Sequence, residues 1–205
     1  MSRLDRGFYA RPVLEVAPAL IGCTLVHGAT SGTIVETEAY HESEPACHAF
    51  VGVTPRTRVI FGEPGCAYVY RSYGVHALLN AVCEPAGIGA AVLLRALAPL
   101  DGVELMRKRR LAAGASEQID DRELCSGPGR LTQALDVELA ENETSLLDGP
   151  IAVLARDPDA GEPQIVAGPR VGITKAPELP WRFCLLGDRN VSRPWPWRAT
   201  SSPSG

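Results

Sequence analysis

Residues 32–50 read GTIVETEAYHESEPACHAF and gather four glutamates, two histidines and a tyrosine, with no lysine or arginine among them. Apolar and polar residues alternate from Thr33 to Tyr40, which predicts a half-buried β-strand. A period of two puts Ile34, Glu36, Glu38 and Tyr40 on one face. Two carboxylates that close repel, and the repulsion raises the proton affinity of at least one of them, a condition that suits a general base. The ordinary alternative, a solvated strand face, is the favoured reading of a generic E-x-E. Against it, this strand runs into Tyr40, a long irregular stretch and His48.

Other chemistries fit less well. His41, Cys47 and His48 lie near Glu42 and Glu44, but no pair has zinc-knuckle spacing, and the P-C-x-x-C that a zinc deaminase needs is missing. A metal site is therefore not expected. No G-x-S-x-G marks a serine hydrolase, and no G-x-x-x-x-G-K-[ST] marks a phosphate cradle. Aromatic residues make up only 6% of the chain, yet Tyr68, Tyr70 and Tyr73 fall within six residues. Tyr68 and Tyr70 share a strand face, where cross-strand packing competes with any role in binding. Tyr73, beside Gly74 at a turn, would be poorly buried, and an exposed ring at a hairpin tip suits insertion into a partner.

Positioning these residues falls to elements that the pattern predicts as follows. A helix covers Pro12–Ile21, and strands cover Thr24–His27 and Thr33–Tyr40, followed by an irregular stretch from His41 to Gly65 carrying three prolines. CAYVYRSYGVHALLNAVCE reads as two strands with a turn near Ser72–Gly74, and GAAVLLRALAPL as a buried strand with one arginine. DGVELMRKRRLAAG reads as an amphipathic helix begun by Asp101 and ended by Gly114. DRELCSGPGRLTQALDV is a helical turn, a break and a second helix, and strands at Ile151–Arg156, Gln164–Ile173 and Trp181–Leu186 complete the chain. Strands in adjacent runs argue for an α+β fold: one domain with a curved, mainly antiparallel sheet, flanking helices and a protruding hairpin. Residues 1–193 are expected to form that domain and 194–205 a flexible tail.

The 205 residues suffice to bury a core, and 45% apolar content with zero mean hydropathy argues against general disorder and a membrane protein. No apolar run approaches 18 residues, and MSRLDRG carries no apolar stretch behind it, so neither a membrane span nor a signal peptide is expected. Six cysteines without C-x-x-C spacing read as reduced cytosolic thiols. The net charge of −4 argues against a nucleic-acid binder until it is divided: residues 136–162 hold eight acids and one base, leaving a net of +3 on the remainder. Eighteen of the 20 bases are arginine, the side chain best suited to phosphate oxygens.

Six motifs recur in one order: IVETEAY, a histidine shortly after it, TPRTRVIFGEPGCAYVYRSYGVHALLN, AVLLRALAPLDG, DRELCSGPGRLTQAL and PRVGI. Together they resemble the alkyladenine (3-methyladenine) DNA glycosylase family, from about Pro12 to Arg193. The resemblance implies a base-excision repair enzyme that flips alkylated or deaminated purines out of double-stranded DNA and cuts the N-glycosidic bond with water. It implies Glu38 as the residue that activates the water, with Arg95 and the Val171 backbone helping to hold it. Tyr40, His48 and Tyr70 would surround the flipped base, Asn80 would police the purine 2-position, and Tyr73 would fill the gap left in the stack. Arg56, Ser126, Gly127 and Arg130 would meet the DNA backbone, the last three around a helix start. Glu36 receives no role beyond structure or modulation of Glu38.

The physical chemistry agrees with that expectation. An alkylated purine is often cationic, so electron-rich rings bind it and its charge makes it a good leaving group. Only Lys108 and Lys175 could form a Schiff base, and neither lies in these stretches. A monofunctional, monomeric glycosylase is expected, needing no metal or organic cofactor and residing with the DNA in the bacterial cytoplasm or the eukaryotic nucleus. Two rival readings are a non-catalytic module that binds modified bases and an enzyme acting on free nucleosides.

Overall fold

The computed structural model describes residues 1–72 and 74–196. Its centre is a curled antiparallel sheet. Strand β1 (Thr24–His27) and strand β2 (Thr30–His41) form the first hairpin, with Thr24 opposite Thr33. In the opposite half β3 (Ala67–Ser72) is the edge strand and pairs with β4 (His76–Val82), and β5 (Ala90–Pro99) joins β4 to β2. Strand β6 (Ile151–Leu154) pairs with β1, while β7 (Ile165–Gly168) pairs with β8 (Arg182–Leu185). The long strand β2 is the spine. It pairs with β5 from Gly32 to His41 on one side, and on the other with β1 first and then with β8 at Glu36–Glu38.

Alternation then sorts the side chains. Ile34, Ala39, Val69, Leu79, Val92 and Leu94 enter the main core. Among the described residues five α-helices contribute to the fold: α1 (Arg6–Tyr9), α2 (Val13–Ala19), α3 (Val103–Ala112), α4 (Asp121–Leu124) and α5 (Pro128–Leu135). Tyr9, Val16, Met106, Leu124 and Leu131 carry them into that core. Tyr68, Val82 and Ala91 instead meet Cys47, Ala49, Val59 and Ile60 of the His41–Gly65 stretch. Helices therefore cover one face of the sheet and the long loop covers the other. The loop is ordered, with a short 3₁₀ turn at His48–Val51.

The fold class is as the pattern predicts, and several details differ. Ile34 does not share a face with Glu36: the β2–β5 register slips between Ile34 and Glu36 and again between Glu36 and Thr37. A bulge reverses alternation locally, so Ile34 joins the main core while Val35 packs with Ala96, Cys184 and Val191. Helix α3 is not begun by Asp101. Gly102 occupies the cap at φ +71°, where a Cβ would meet the Ala29 carbonyl at 2.4 Å, and the Asp101 carboxylate accepts from the Ser31 hydroxyl at 2.6 Å. Strand β7 stops at Gly168 rather than Ile173, because Pro169 offers no N–H to a ladder and Gly172 sits at φ +77°. Helix α1, capped by Asp5, is too short to show a period. Of the expected tail, Pro194 accepts from Arg182 and the Trp195 indole donates to the Val191 carbonyl; residues 197–205 lie outside the described residues.

One contact ties the loop to β5. Gly89 and Glu42 exchange two hydrogen bonds, Gly89 N–H to the Glu42 carboxylate at 2.8 Å and Glu42 N–H to the Gly89 carbonyl at 2.7 Å. A Cβ at Gly89 would lie 2.6 Å from the Ala49 Cβ and 2.8 Å from the Phe61 ring. Gly89→Ala is expected to destabilise the protein by about 1–3 kcal/mol through overpacking. Urea denaturation reads this as a lower midpoint, and an unchanged midpoint would show that the loop shifts at no cost.

Candidate active site

The bulge that displaces Ile34 leaves Glu36 and Glu38 on the face opposite the helices, and both are fully buried at 0% exposure. Each carboxylate is saturated with donors. Glu36 accepts from Arg95 Nε at 2.7 Å, Arg182 Nε at 2.8 Å, and the Ser192 N–H and hydroxyl at 2.7 and 2.8 Å. Glu38 accepts from the Tyr40 hydroxyl at 2.8 Å and Arg95 Nη1 at 3.2 Å on one oxygen, and from the Val171 N–H at 2.7 Å on the other. Arg95 thus bridges the pair. Burial pulls its guanidinium down, but the charges of Glu38 and Glu36 more than offset this and raise it, so it stays cationic.

In front of Glu38 opens a cavity of about 550 Å³, walled by Tyr40, His48, Tyr68, Tyr70, Asn80 and Arg95, with Val171 on its rim. That is within the range of small-ligand sites. His48 meets Tyr70 edge-on with ring centroids 4.7 Å apart, and Tyr68 stacks on Tyr70 at 5.3 Å. His48 Nδ1 is 3.1 Å from the Tyr68 hydroxyl. Asn80 is held in the floor, its amide donating to the carbonyls of Tyr68 at 3.1 Å and Leu78 at 3.4 Å.

The electrostatics of these groups follow from burial. The Tyr40 hydroxyl is pushed up by desolvation, then by the Glu38 charge and hydrogen bond, so it remains a donor to that carboxylate. Tyr70 is pushed up to about 12, by burial and then by Tyr68. His48 is lowered to about 4, first by burial and then by the Arg56 charge. The imidazole is therefore neutral at pH 7. Arg56 itself stands over the Tyr70 ring, 5.4 Å from its centroid, with Nη2 3.4 Å from His48 Nε2.

The residues singled out in the sequence divide into two groups. Glu38, Arg95, Val171, Tyr40, His48, Tyr70, Asn80 and Arg56 come together around one cavity. Ser126 and Arg130 line a separate cleft, with Pro128 connecting that side to the cavity. Gly127 is not free to donate outward, because its N–H bonds the Arg95 carbonyl at 3.1 Å. Tyr73 lies outside the described residues, and the adjoining hairpin tip carries Val75 at 66% exposure. Lys175 lines a neighbouring cleft beside His48 and Arg56. The rival metal cluster is dispersed: His41 bonds Ser43, Glu42 bonds Gly89 and Glu44 pairs with Arg170.

Three participants escaped the sequence reading. Arg170 clamps Glu44 with two bonds of 2.6 and 3.0 Å, donates to the Ala39 carbonyl and covers the Tyr40 ring at 4.6 Å. Ser192 and Arg182 saturate Glu36. Only the period-two partner of Tyr70, Tyr68, carried a readable signal for a place in the cavity wall.

A cavity walled by aromatic rings, with a saturated carboxylate behind it, has the shape and lining that suit one flat ring. The chain belongs to the methylpurine-DNA glycosylase family: the profile described as Methylpurine-DNA glycosylase (MPG) matches residues 7–189. It is similar to three bacterial proteins that each bear the name "Putative 3-methyladenine DNA glycosylase". One, from Rhodopseudomonas palustris strain BisB18, is 55% identical over 94% of this chain and 92% of its own. Another, from Nitrobacter winogradskyi, is 53% identical over 94% and 88%, and a third, from Rubrobacter xylanophilus, is 50% identical over 83% and 87%.

The His48 environment yields a pH signature. A histidine lowered from 6.5 to about 4 on folding binds fewer protons folded than unfolded, so its contribution to stability is full above pH 6.5 and is lost as pH falls towards 4. Imidazole NMR should show His48 neutral down to about pH 5. In His48→Gln the decline of melting temperature between pH 6.5 and 4 should be shallower than in the wild type. An imidazole titrating near 6.5 would contradict the burial argument.

Proposed function

We propose that the protein is a monofunctional DNA glycosylase that removes 3-methyladenine-type alkylated purines, hypoxanthine and etheno-adenine from duplex DNA. The observation that carries the reading is Glu38: a fully buried carboxylate whose three hydrogen-bond donors all belong to residues lining one aromatic cavity. Family membership supplies the substrate class.

In this reading the damaged nucleotide rotates out of the duplex and its base lies among Tyr40, His48 and Tyr70. Neutral His48 adds no repulsion to a cationic purine. A water between Glu38, Arg95 and the Val171 backbone attacks C1′ of the deoxyribose. The new C1′–O bond forms as the C1′–N bond breaks, the bond electrons leave with the base, and the water proton passes to Glu38. Arg95 and Val171, which touch the carboxylate in this structure, hold Glu38 aimed at that water. Asn80, fixed by two main-chain carbonyls, crowds the exocyclic amine of guanine. Tyr73 takes the vacated place in the stack. The product is an intact abasic site.

Two experiments test this. Single-turnover excision from duplexes carrying hypoxanthine or etheno-adenine should fall by about 10²–10⁴ in Glu38→Gln, while lesion binding persists. Near-normal rates in Glu38→Gln together with a collapse in Glu36→Gln would assign the chemistry to the other carboxylate. Borohydride should trap no protein–DNA adduct, and strands should break only after alkali. Trapping that disappears in Lys175→Gln would replace the water mechanism with an amine one.

A further inference from the structure

Beyond the base cavity, a second concave site of about 340 Å³ is lined by Arg122, Arg130, Arg189 and Arg193, with Trp195 and Ser126 between them. All four arginine side chains are exposed. The carboxylates near them are Glu123, 3.8 Å from Arg130, and Asp120, 3.5 Å from Arg122 and 3.8 Å from Arg189. Such exposed, long ion pairs contribute little and are readily exchanged. Arg193 lies against the Trp195 ring, 5.3 Å from its centroid, and the indole is fixed by its bond to the Val191 carbonyl. Four guanidiniums from two distant parts of the chain thus converge on one hollow with two loosely held acids.

We infer that this cleft binds consecutive backbone phosphates of the duplex flanking the flipped nucleotide, with Arg122, Arg189 and Arg193 as ligands beside Arg130. The inference rests on the DNA reading above, though not on its chemistry. Three features favour DNA phosphate as the occupant. Guanidinium forks match phosphate oxygens in pairs. The cleft neighbours the base cavity along the chain, since Ser126 lines the cleft and Pro128, two residues on, lines the cavity. It also shares a wall with the catalytic cluster: Ser192, between the cleft residues Val191 and Arg193, donates its N–H and hydroxyl to Glu36 and receives Arg95 Nη2 at 3.3 Å. A phosphate held by Arg193 therefore sits one residue from the cluster that aims Glu38. The duplex would run along the start of α5 and over the Asp188–Trp195 segment, away from the acidic stretch 136–162, none of which lines the cavity or the cleft among the described residues.

The test is equilibrium binding of the full-length protein to an undamaged 25-base-pair duplex as a function of salt, which needs no base release. Each phosphate contact contributes about 0.9 to the slope of log K against log salt. Arg189→Gln and Arg193→Gln should each lower that slope by about 0.9 and weaken binding about fivefold to tenfold near 0.1 M salt. Melting temperatures should be unchanged, because both side chains are exposed. Arg6→Gln, which removes an equal charge on α1 from a pair with Glu63, should leave the slope unaltered. Unchanged slopes in the cleft variants, or an equal fall in Arg6→Gln, would overturn the proposal. Absence of base release by the wild type would overturn the glycosylase reading and leave this result standing.

Discussion

The bridge that Arg95 makes between Glu36 and Glu38 is the constraint from which the site follows. Taking an ion out of water costs several kcal/mol, and only saturation with partners offsets it. Here two acids and two arginines, Arg95 and Arg182, cancel in formal charge, and every oxygen of the acids is engaged. Satisfying Glu36 requires β8 to lie beside β2 and Ser192 to return to the same point. Glu36 thereby anchors Arg95, Arg182 and Ser192 at one point. With Glu36 occupying one edge of Arg95, the remaining edge is fixed towards Glu38.

A second clamp works from the other side. Arg170 holds the loop through Glu44, the spine through the Ala39 carbonyl, and the Tyr40 ring through its flat face. Its neighbour Val171 then has little choice of position, and its N–H falls on Glu38. The early end of β7 is what makes this possible. A ladder continued to Ile173 would have tied the Val171 N–H to a strand instead of to the carboxylate. The proline and glycine in PRVGI therefore act on the Glu38 carboxylate through the backbone.

What the sequence disclosed depended on whether the signal was local. Alternation in β2 to β5 and the amphipathic helices could be read from single stretches, and so could the placing of two acids and a tyrosine on a common face. The double register slip in β2 could not, because a bulge depends on the partner strand, and it reversed the assignment of Ile34. Arg170, Arg182 and Ser192 were equally invisible. Each meets its partner across more than 120 residues of chain, and nothing in the composition around them distinguishes a buried arginine from a surface one. The cap of α3 was misread for a related reason: Asp101 is a good capping residue by type, but Ser31 claims its carboxylate.

The aromatic wall changes the argument about selectivity. From composition, electron-rich rings suggest that a cationic purine is chosen by cation–π attraction. In the structure two of those rings already have a guanidinium at their face, Arg170 on Tyr40 at 4.6 Å and Arg56 on Tyr70 at 5.4 Å. A guanidinium already at a ring's face draws on the same quadrupole that a bound cation would use, so the attraction left for a charged base is reduced. Stacking remains, and it is tolerant of any flat base. In the proposed reaction, discrimination then falls on two other steps. One is extrusion, which costs less for a base whose pairing is already weakened. The other is bond cleavage, where a cationic alkylated base departs as a neutral molecule, whereas neutral bases, hypoxanthine and etheno-adenine among them, depart as anions and must be selected at extrusion. A site that binds flat rings with little regard to charge, and leaves the choice to extrusion and to the leaving group, can accept several damaged purines on one constellation. In the proposed reaction only guanine's extra amine then needs a dedicated steric element, and Asn80 is the residue proposed for it.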